Sequence, residues 1–247
     1  MTTQTRTQTR SASRRDRIRE ATLAEIHEAA RALLTARGSG AVTMNAVARE
    51  VGMSGPALYH YFKGHEELVG AVTAGFFREL TGEMEAARDT HPQEALDTRL
   101  LATCRAMRAW ATAHPAEFGW IFASPIPPTH HEPGSERLVA GQRFETVLRE
   151  QVVELWELRP FPVPDLTELP PSLREQLREY TTSIGGRLPP EAAHVFLTCW
   201  SRLYGLLCME VLRQLDSVYS DMEPVYEECL RELAALVGLE YDGGRVT

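Results

Sequence analysis

Apolar residues recur three or four positions apart along most of the chain, and a period of two persists nowhere, so the pattern predicts helices and no β-structure. From about Arg14, the residues Leu23, Ile26, Ala30, Leu33 and Leu34 form one stripe, and Gly38 supplies the left-handed conformation in which helices end. Thr43 then caps a short helix with Val47 and Val51 inward, stopping at Gly52. Ser54 caps a third, running to about Phe62. Pro56 has no backbone N–H and fits only a first turn, which leaves the Ser54 hydroxyl expected on the N–H of Ala57. A longer helix from about His65 to Arg88 carries Glu66 and Glu67 where the dipole favours negative charge, and buries Leu68, Val72, Phe76 and Leu80.

The remainder also reads as helices: about Gln93–Ala113, Pro115–Phe122, Ser135–Leu158, Ser172–Ile184, Pro190–Leu215 and about Asp221–Val237. Ser124–Gly134 reads as a loop. Five prolines between Arg159 and Pro171 demand irregular backbone. Pro190–Leu215 is apolar almost all round, so it must be covered on more than one side. The last helix carries Met222, Val225, Tyr226, Cys229, Leu230, Leu233 and Val237 at three-four spacing. These two helices, about 190–215 and 221–237, are the candidates for an isologous four-helix interface between two copies. A monomer with a long exposed apolar patch is the alternative.

Composition narrows the setting. No stretch approaches the ~18 apolar residues of a membrane span. The start, MTTQTRTQTRSASRR, lacks the apolar core of a secretory signal, so a cytoplasmic address is expected. The four cysteines show no C-x-x-C pair and read as small core residues. The net charge is −8. Its distribution matters more than its size. Residues 1–63 hold ten Arg and Lys against five acids, a local +5, leaving −13 for the rest. A basic head on an acidic body confines phosphate attraction to one end. Residues 1–13 are expected to be a disordered basic arm.

Two short helices joined by a glycine-containing turn are the helix-turn-helix signature. In TMNAVAREVGMSGPALYHYFKGHEEL, the residues Val47, Val51, Met53, Leu58 and Phe62 point inward, while Ser54, Gly55, Pro56, Ala57, Tyr59 and His60 leave the outer face small and polar. Small residues let a helix N-terminus approach closely, and its N–H groups attract phosphate. The run G-M-S-x-x-A-L-Y-x-Y-F-K, preceded by T-M-x-x-V-A-x-x-V, resembles the tetracycline-repressor (TetR/AcrR) family over about Arg14 to Leu68. The resemblance implies an all-α homodimer. A three-helix DNA-binding domain (residues 14–64) would carry a larger helical-bundle effector-binding and dimerisation domain (65–247). By position it implies Thr43 near a phosphate and the Tyr59 hydroxyl on the backbone. It also implies Gly55, Pro56, Ala57 and His60 on base edges, with Lys63, the chain's single lysine, at the sugar-phosphate edge. His65 stands where the family usually has lysine, so its phosphate contact would be weaker and pH-sensitive. Arg14 and Arg15 are further candidates for phosphate or minor-groove contact. The plainer alternative makes Thr43 and Ser54 caps and Tyr59 packing.

In the body, Met107, Trp110, Phe118, Trp120, Phe122, Phe144, Trp200 and Tyr204 are candidate effector-binding residues, with core packing as the alternative. AWATAHPAEFGWIFASPIP resembles a WHG-like C-terminal type. His114 either caps the short helix after it or points into a pocket. His130-His131-Glu132 has no spaced partner, so neither a metal nor a cofactor is expected. An enzyme is disfavoured by the lack of G-x-S-x-G, H-E-x-x-H, P-loop or dinucleotide motifs. Sequence-independent DNA compaction is the other alternative. The expected function is a sequence-specific regulator on a pseudo-palindromic operator, a repressor released by a small, largely apolar effector.

Overall fold

The computed structural model describes residues 3–123 and 134–243. Among them the regular elements are helical: α1 (Thr3–Arg37), α2 (Met44–Glu50), α3 (Gly55–Leu58), α4 (His65–Asp89), α5 (Leu96–Ala113), α6 (Pro115–Phe122), α7 (Glu136–Leu158), α8 (Pro171–Ser183), α9 (Pro190–Val211) and α10 (Glu223–Leu236), with 3₁₀ turns at Ser39–Ala41 and Leu166–Glu168. No described helix is long and apolar enough to cross a membrane. Most of the expected loop Ser124–Gly134, with His130 to Glu132, lies outside the described residues.

The described chain forms two compact units. One ends at Phe76 and gathers α7 up to Val139; the other starts at Phe77 and resumes at Ala140. α4 and α7 thus belong to both, and the first unit reaches past the expected boundary at residue 64. In the first unit, Ile26, Ala30, Leu33, Leu34, Val47, Leu58, Phe62, Leu68 and Val72 are buried. Each large side chain of this kind contributes about 1.5–3 kcal/mol. The turn between α2 and α3 is a Schellman motif: Gly52 sits at φ 69°, Met53 N–H donates to the Ala48 carbonyl (2.8 Å) and Gly52 N–H to Arg49 (3.2 Å).

Three differences from the sequence reading have physical causes. α1 begins at Thr3 rather than at about Arg14, so residues 3–13 continue the helix. That stretch has neither Gly nor Pro, and extending a formed helix carries no nucleation cost. α3 ends at Leu58 rather than near Phe62, because the bonds tighten to His60 N–H→Ala57 and Tyr61 N–H→Leu58. α9 stops at Val211, four residues early. Arg213 takes the left-handed position (φ 59°), with Gln214 N–H on Met209 and Arg213 N–H on Glu210. A glycine there would have signalled this stop; an arginine hides it.

The second unit packs α8, α9 and α10 with α5, α6 and α7 around Met107, Phe118, Leu155, Leu188, Leu207 and Tyr226, all essentially inaccessible. The proline-rich 159–171 segment is pinned by Phe161, which is buried edge-on against Trp156 (5.0 Å, 70°).

Candidate nucleic-acid interface and body cavity

At the head, Thr43 Oγ1 accepts the N–H of Ala46 (3.2 Å), fixing the start of α2. Ser54 behaves differently from expectation. Its carbonyl, not its hydroxyl, accepts the Ala57 N–H (2.9 Å), and the side chain makes no cap bond. Pro56 in the first turn already fixes φ, so α3 starts without that help. Ser54, Pro56, Tyr59, His60 and Lys63 are exposed, Gly55 and Ala57 half-buried. Tyr59 is 55% accessible, far more than a packing tyrosine needs. Leu58, wholly buried beside it, anchors the element from within. The geometry leaves one short helix start with small side chains and two exposed rings.

His65 is also placed differently from a plain phosphate contact. Its Nε2 donates to the Val42 carbonyl (2.8 Å), tying the start of α4 to the residue before Thr43. A second donor, Nδ1–H, exists only in the imidazolium form. Lys63 lends its backbone N–H to the Glu67 carboxylate, which closes the first turn of α4, and its side chain stays exposed. Arg14 and Arg15 are exposed on α1.

Two neighbours escaped the sequence reading. The Arg19 guanidinium lies over the Tyr61 ring (5.3 Å), bracing α1 against the turn after α3. Asn45 lies beside Gly55, where a Cβ would meet its Oδ1 at 3.6 Å. Neither pair has a sequence signal, since a lone Arg and a lone Asn on helices are unremarkable in isolation.

In the body, the structure joins five of the eight candidate effector residues into one aromatic cluster. Phe122 meets Phe118 (4.8 Å), Phe144 (5.6 Å) and Tyr204 (5.5 Å); Trp200 meets Phe144 (5.7 Å) and stacks on Tyr204 (5.6 Å). The Tyr204 hydroxyl donates to the Phe122 carbonyl (3.1 Å). Phe118 and Phe144 are buried, and Phe122, Trp200 and Tyr204 are half-buried. Trp110 stacks instead on His114 (5.0 Å), whose Nδ1 bonds the Trp110 carbonyl (3.0 Å). His114 therefore closes the end of α5 and does not cap α6. Met107 and Trp120 are buried.

The cavity lies elsewhere. Its volume is ≈ 60 Å³, and its walls include Leu100 and Cys104 of α5, Val152 of α7, Phe196 of α9, Leu233 of α10, and Leu239 beyond it. Of the eight candidates only Trp200 lines it. Leucine, valine and cysteine at helical spacing look alike whether they face a core or a void. Burial pushes the Cys104 thiol up to about 12 and Cys199 to about 11, so both stay protonated near neutrality and chemically quiet.

Residues 26–72 match the family model described as bacterial regulatory proteins, tetR family. Residues 100–233 match that of the tetracyclin repressor-like C-terminal domain, more than half of the chain. The chain belongs to the TetR family. The N-terminal match takes in every candidate from Thr43 to His65 and stops short of Arg14 and Arg15. Relatives of this TetR-family chain include the HTH-type transcriptional regulators Mb1846 of Mycobacterium bovis and Rv1816 of Mycobacterium tuberculosis. Each is 30% identical over 142 residues, 56% of this chain and 60% of the relative. The match thus spans less than two thirds of those proteins. Among solved structures, regulatory protein SCO4313 superimposes with a TM-score of 0.67 at 25% identity, covering 89% of this chain and 98% of that one. The TetR-family regulator PfmR of Thermus thermophilus shares the fold at a TM-score of 0.52 and 17% identity, over 87% and 97% of the two chains.

Proposed function

We propose that this TetR-family protein is a ligand-responsive, sequence-specific DNA-binding transcriptional regulator, acting as a repressor. The observation that carries the reading is the start of α3. Gly52 and Pro56 fix it, and Ser54, Gly55, Pro56 and Ala57 are small enough to let it enter a groove. Tyr59 and His60 stand exposed beside it. Tyr59 and Lys63 serve the phosphates, His60 the base edges, and Arg14 and Arg15 the flanking backbone. His65 adds a phosphate donor only when doubly protonated.

The protein works as a homodimer on a pseudo-palindromic operator, with α9 and α10 as its interface. Met209, Leu212 and Leu236 lie exposed at these two helices, the kind of side chain a second copy would cover. A small, largely apolar effector held in the body shifts the spacing of the two heads and releases the DNA. It does so only through unequal affinity for the two states.

The test is binding to DNA flanking the protein's own gene. The regulator should hold one site at least ~10³-fold more tightly than random DNA. Equal affinity for both would overturn the reading in favour of compaction. Tyr59→Phe should weaken all sequences alike by about three- to tenfold. His60→Ala should change which base is preferred.

A further inference from the structure

The cavity has four helical walls and one that is not helical. After α10 the chain turns at Gly238 (φ 65°) in a second Schellman motif, with Leu239 N–H on Ala234 (2.8 Å) and Gly238 N–H on Ala235 (3.3 Å). Residues 239–242 then cross to α5 as a strap without regular secondary structure. The Glu240 N–H donates to Asp97 Oδ2 in the first turn of α5 (2.8 Å). The Tyr241 hydroxyl donates to Glu227 of α10 (2.7 Å), and Arg105 of α5 donates to Asp242 (2.8 Å) while gripping Glu227 (2.9 Å). Leu239 is the one strap side chain that lines the cavity.

The strap is attached unlike the rest of the wall. The helices are held by buried apolar side chains, whereas the strap is held by polar bonds at a rim where Arg105, Glu227 and Asp242 keep 22–37% of their side-chain surface in water. Bonds of that kind exchange with water, and segments they hold open locally before the core does. The cavity offers a guest no charge and no polar side-chain group besides the thiols and the Trp200 indole, since its lining is Leu, Val, Ala, Phe, Trp and Cys. At ≈ 60 Å³ it is also smaller than the about 150 Å³ that holds a benzene ring. A ring-sized guest therefore needs more room, which a displaced Leu239 would give.

We propose that the 238–242 strap is the latched lid of a binding site for a compact, uncharged, hydrocarbon-like molecule, seated between α5, α7, α9 and α10 with the displaced Leu239 making room. The site is distinct from the aromatic cluster apart from Trp200. Its regulatory meaning rests on the effector reading proposed above; its capacity to bind does not.

Fluorobenzene is the probe, and ¹⁹F line shapes on the full-length protein give its affinity and exchange rate. In Tyr241→Phe with Asp242→Ala, which removes the Tyr241 hydroxyl and the Asp242 carboxylate from the latch and touches no helical wall, exchange should speed up about tenfold or more. Leu239→Trp, at a half-buried strap position, should plug the cavity and abolish binding with the melting temperature retained. Exchange at the wild-type rate in the latch variant, or wild-type affinity in Leu239→Trp, would overturn the lid. Both expected results together with an operator affinity indifferent to fluorobenzene would uphold the lid and remove this site from the effector reading.

Discussion

The head and the body spend their residues in opposite ways. At the head, the residues proposed to bind DNA lie on the outside of a minimal scaffold: seven residues of α2, a four-residue α3, and exposed Tyr59, His60 and Lys63 held by Leu58 and Phe62 beneath. In the body, five of the candidate rings pack on one another, and a cavity lies among neighbouring aliphatic side chains. A special residue at the head has one conformational reason to be there; an apolar residue in the body has many. The contrast predicts that substitutions in the body act on stability first, and those at the head on DNA binding first.

The largest effect should come from the body. Phe118 is wholly buried and meets Phe122 at 4.8 Å. Phe118→Ala should cost about 3–5 kcal/mol by leaving a void among the rings. Thermal melting should show this in the intact protein. A loss below about 1 kcal/mol would mean that the cluster is loosely filled and is itself the ligand site, erasing the contrast.

The head should respond more modestly in stability and more sharply in binding. Gly52→Ala meets no atom within 4 Å, so its cost is conformational, about 1–2 kcal/mol for the left-handed position at φ 69°. Because that turn sets the angle between α2 and α3, operator affinity should fall further than stability, as titration beside a melting curve would reveal. Thr43→Ala removes a cap bond and should cost about 1 kcal/mol.

Much of the head was legible in the sequence because its determinants are local. Gly52 adopts positive φ as its position demanded, and Thr43 caps α2 as its hydroxyl suggested; Gly38 also has positive φ (79°), but with ψ 175° it is not in the left-handed helical conformation expected of it. What escaped depends on distant partners or on silence. The Val42 carbonyl claims His65 across 23 residues, and Arg19 finds Tyr61 across a fold that no periodicity encodes. In the body, α6 spans Pro115–Phe122 as its proline indicated, yet the cavity was invisible because Leu100, Val152 and Leu233 carry the same pattern as core residues. The strap's polar attachments pair Asp97 with Glu240 and Arg105 with Asp242, more than a hundred residues apart.

Acid offers a milder way to separate the two regions. Burial acts to raise the Glu227 carboxyl, but hydrogen bonds from Arg105 and Tyr241 outweigh it and leave it below the usual range. A carboxyl depressed in the folded state adds stability that is complete above its unfolded value, about 4.3, and fades as pH falls through the folded value. The strap should therefore loosen below about pH 4.3. Amide exchange at Glu240, compared with amides in the middle of α9, should show it first. Equal protection of both below that pH would mean that the strap is as firmly held as the helices.

The smallest stability effect separates cap from contact within the head itself. Thr43 and Ser54 occupy equivalent places ahead of α2 and α3, yet only Thr43 spends its hydroxyl on the helix. Ser54→Ala should thus leave the melting temperature almost unchanged, well under the roughly 1 kcal/mol expected at Thr43. The exposed Ser54 hydroxyl is instead available to a phosphate or a base edge, so operator affinity should drop about three- to tenfold. A Ser54→Ala protein that melts early and binds normally would reassign this serine from the DNA surface to the helix start. It would leave Tyr59, His60 and Lys63 to carry the head's grip alone.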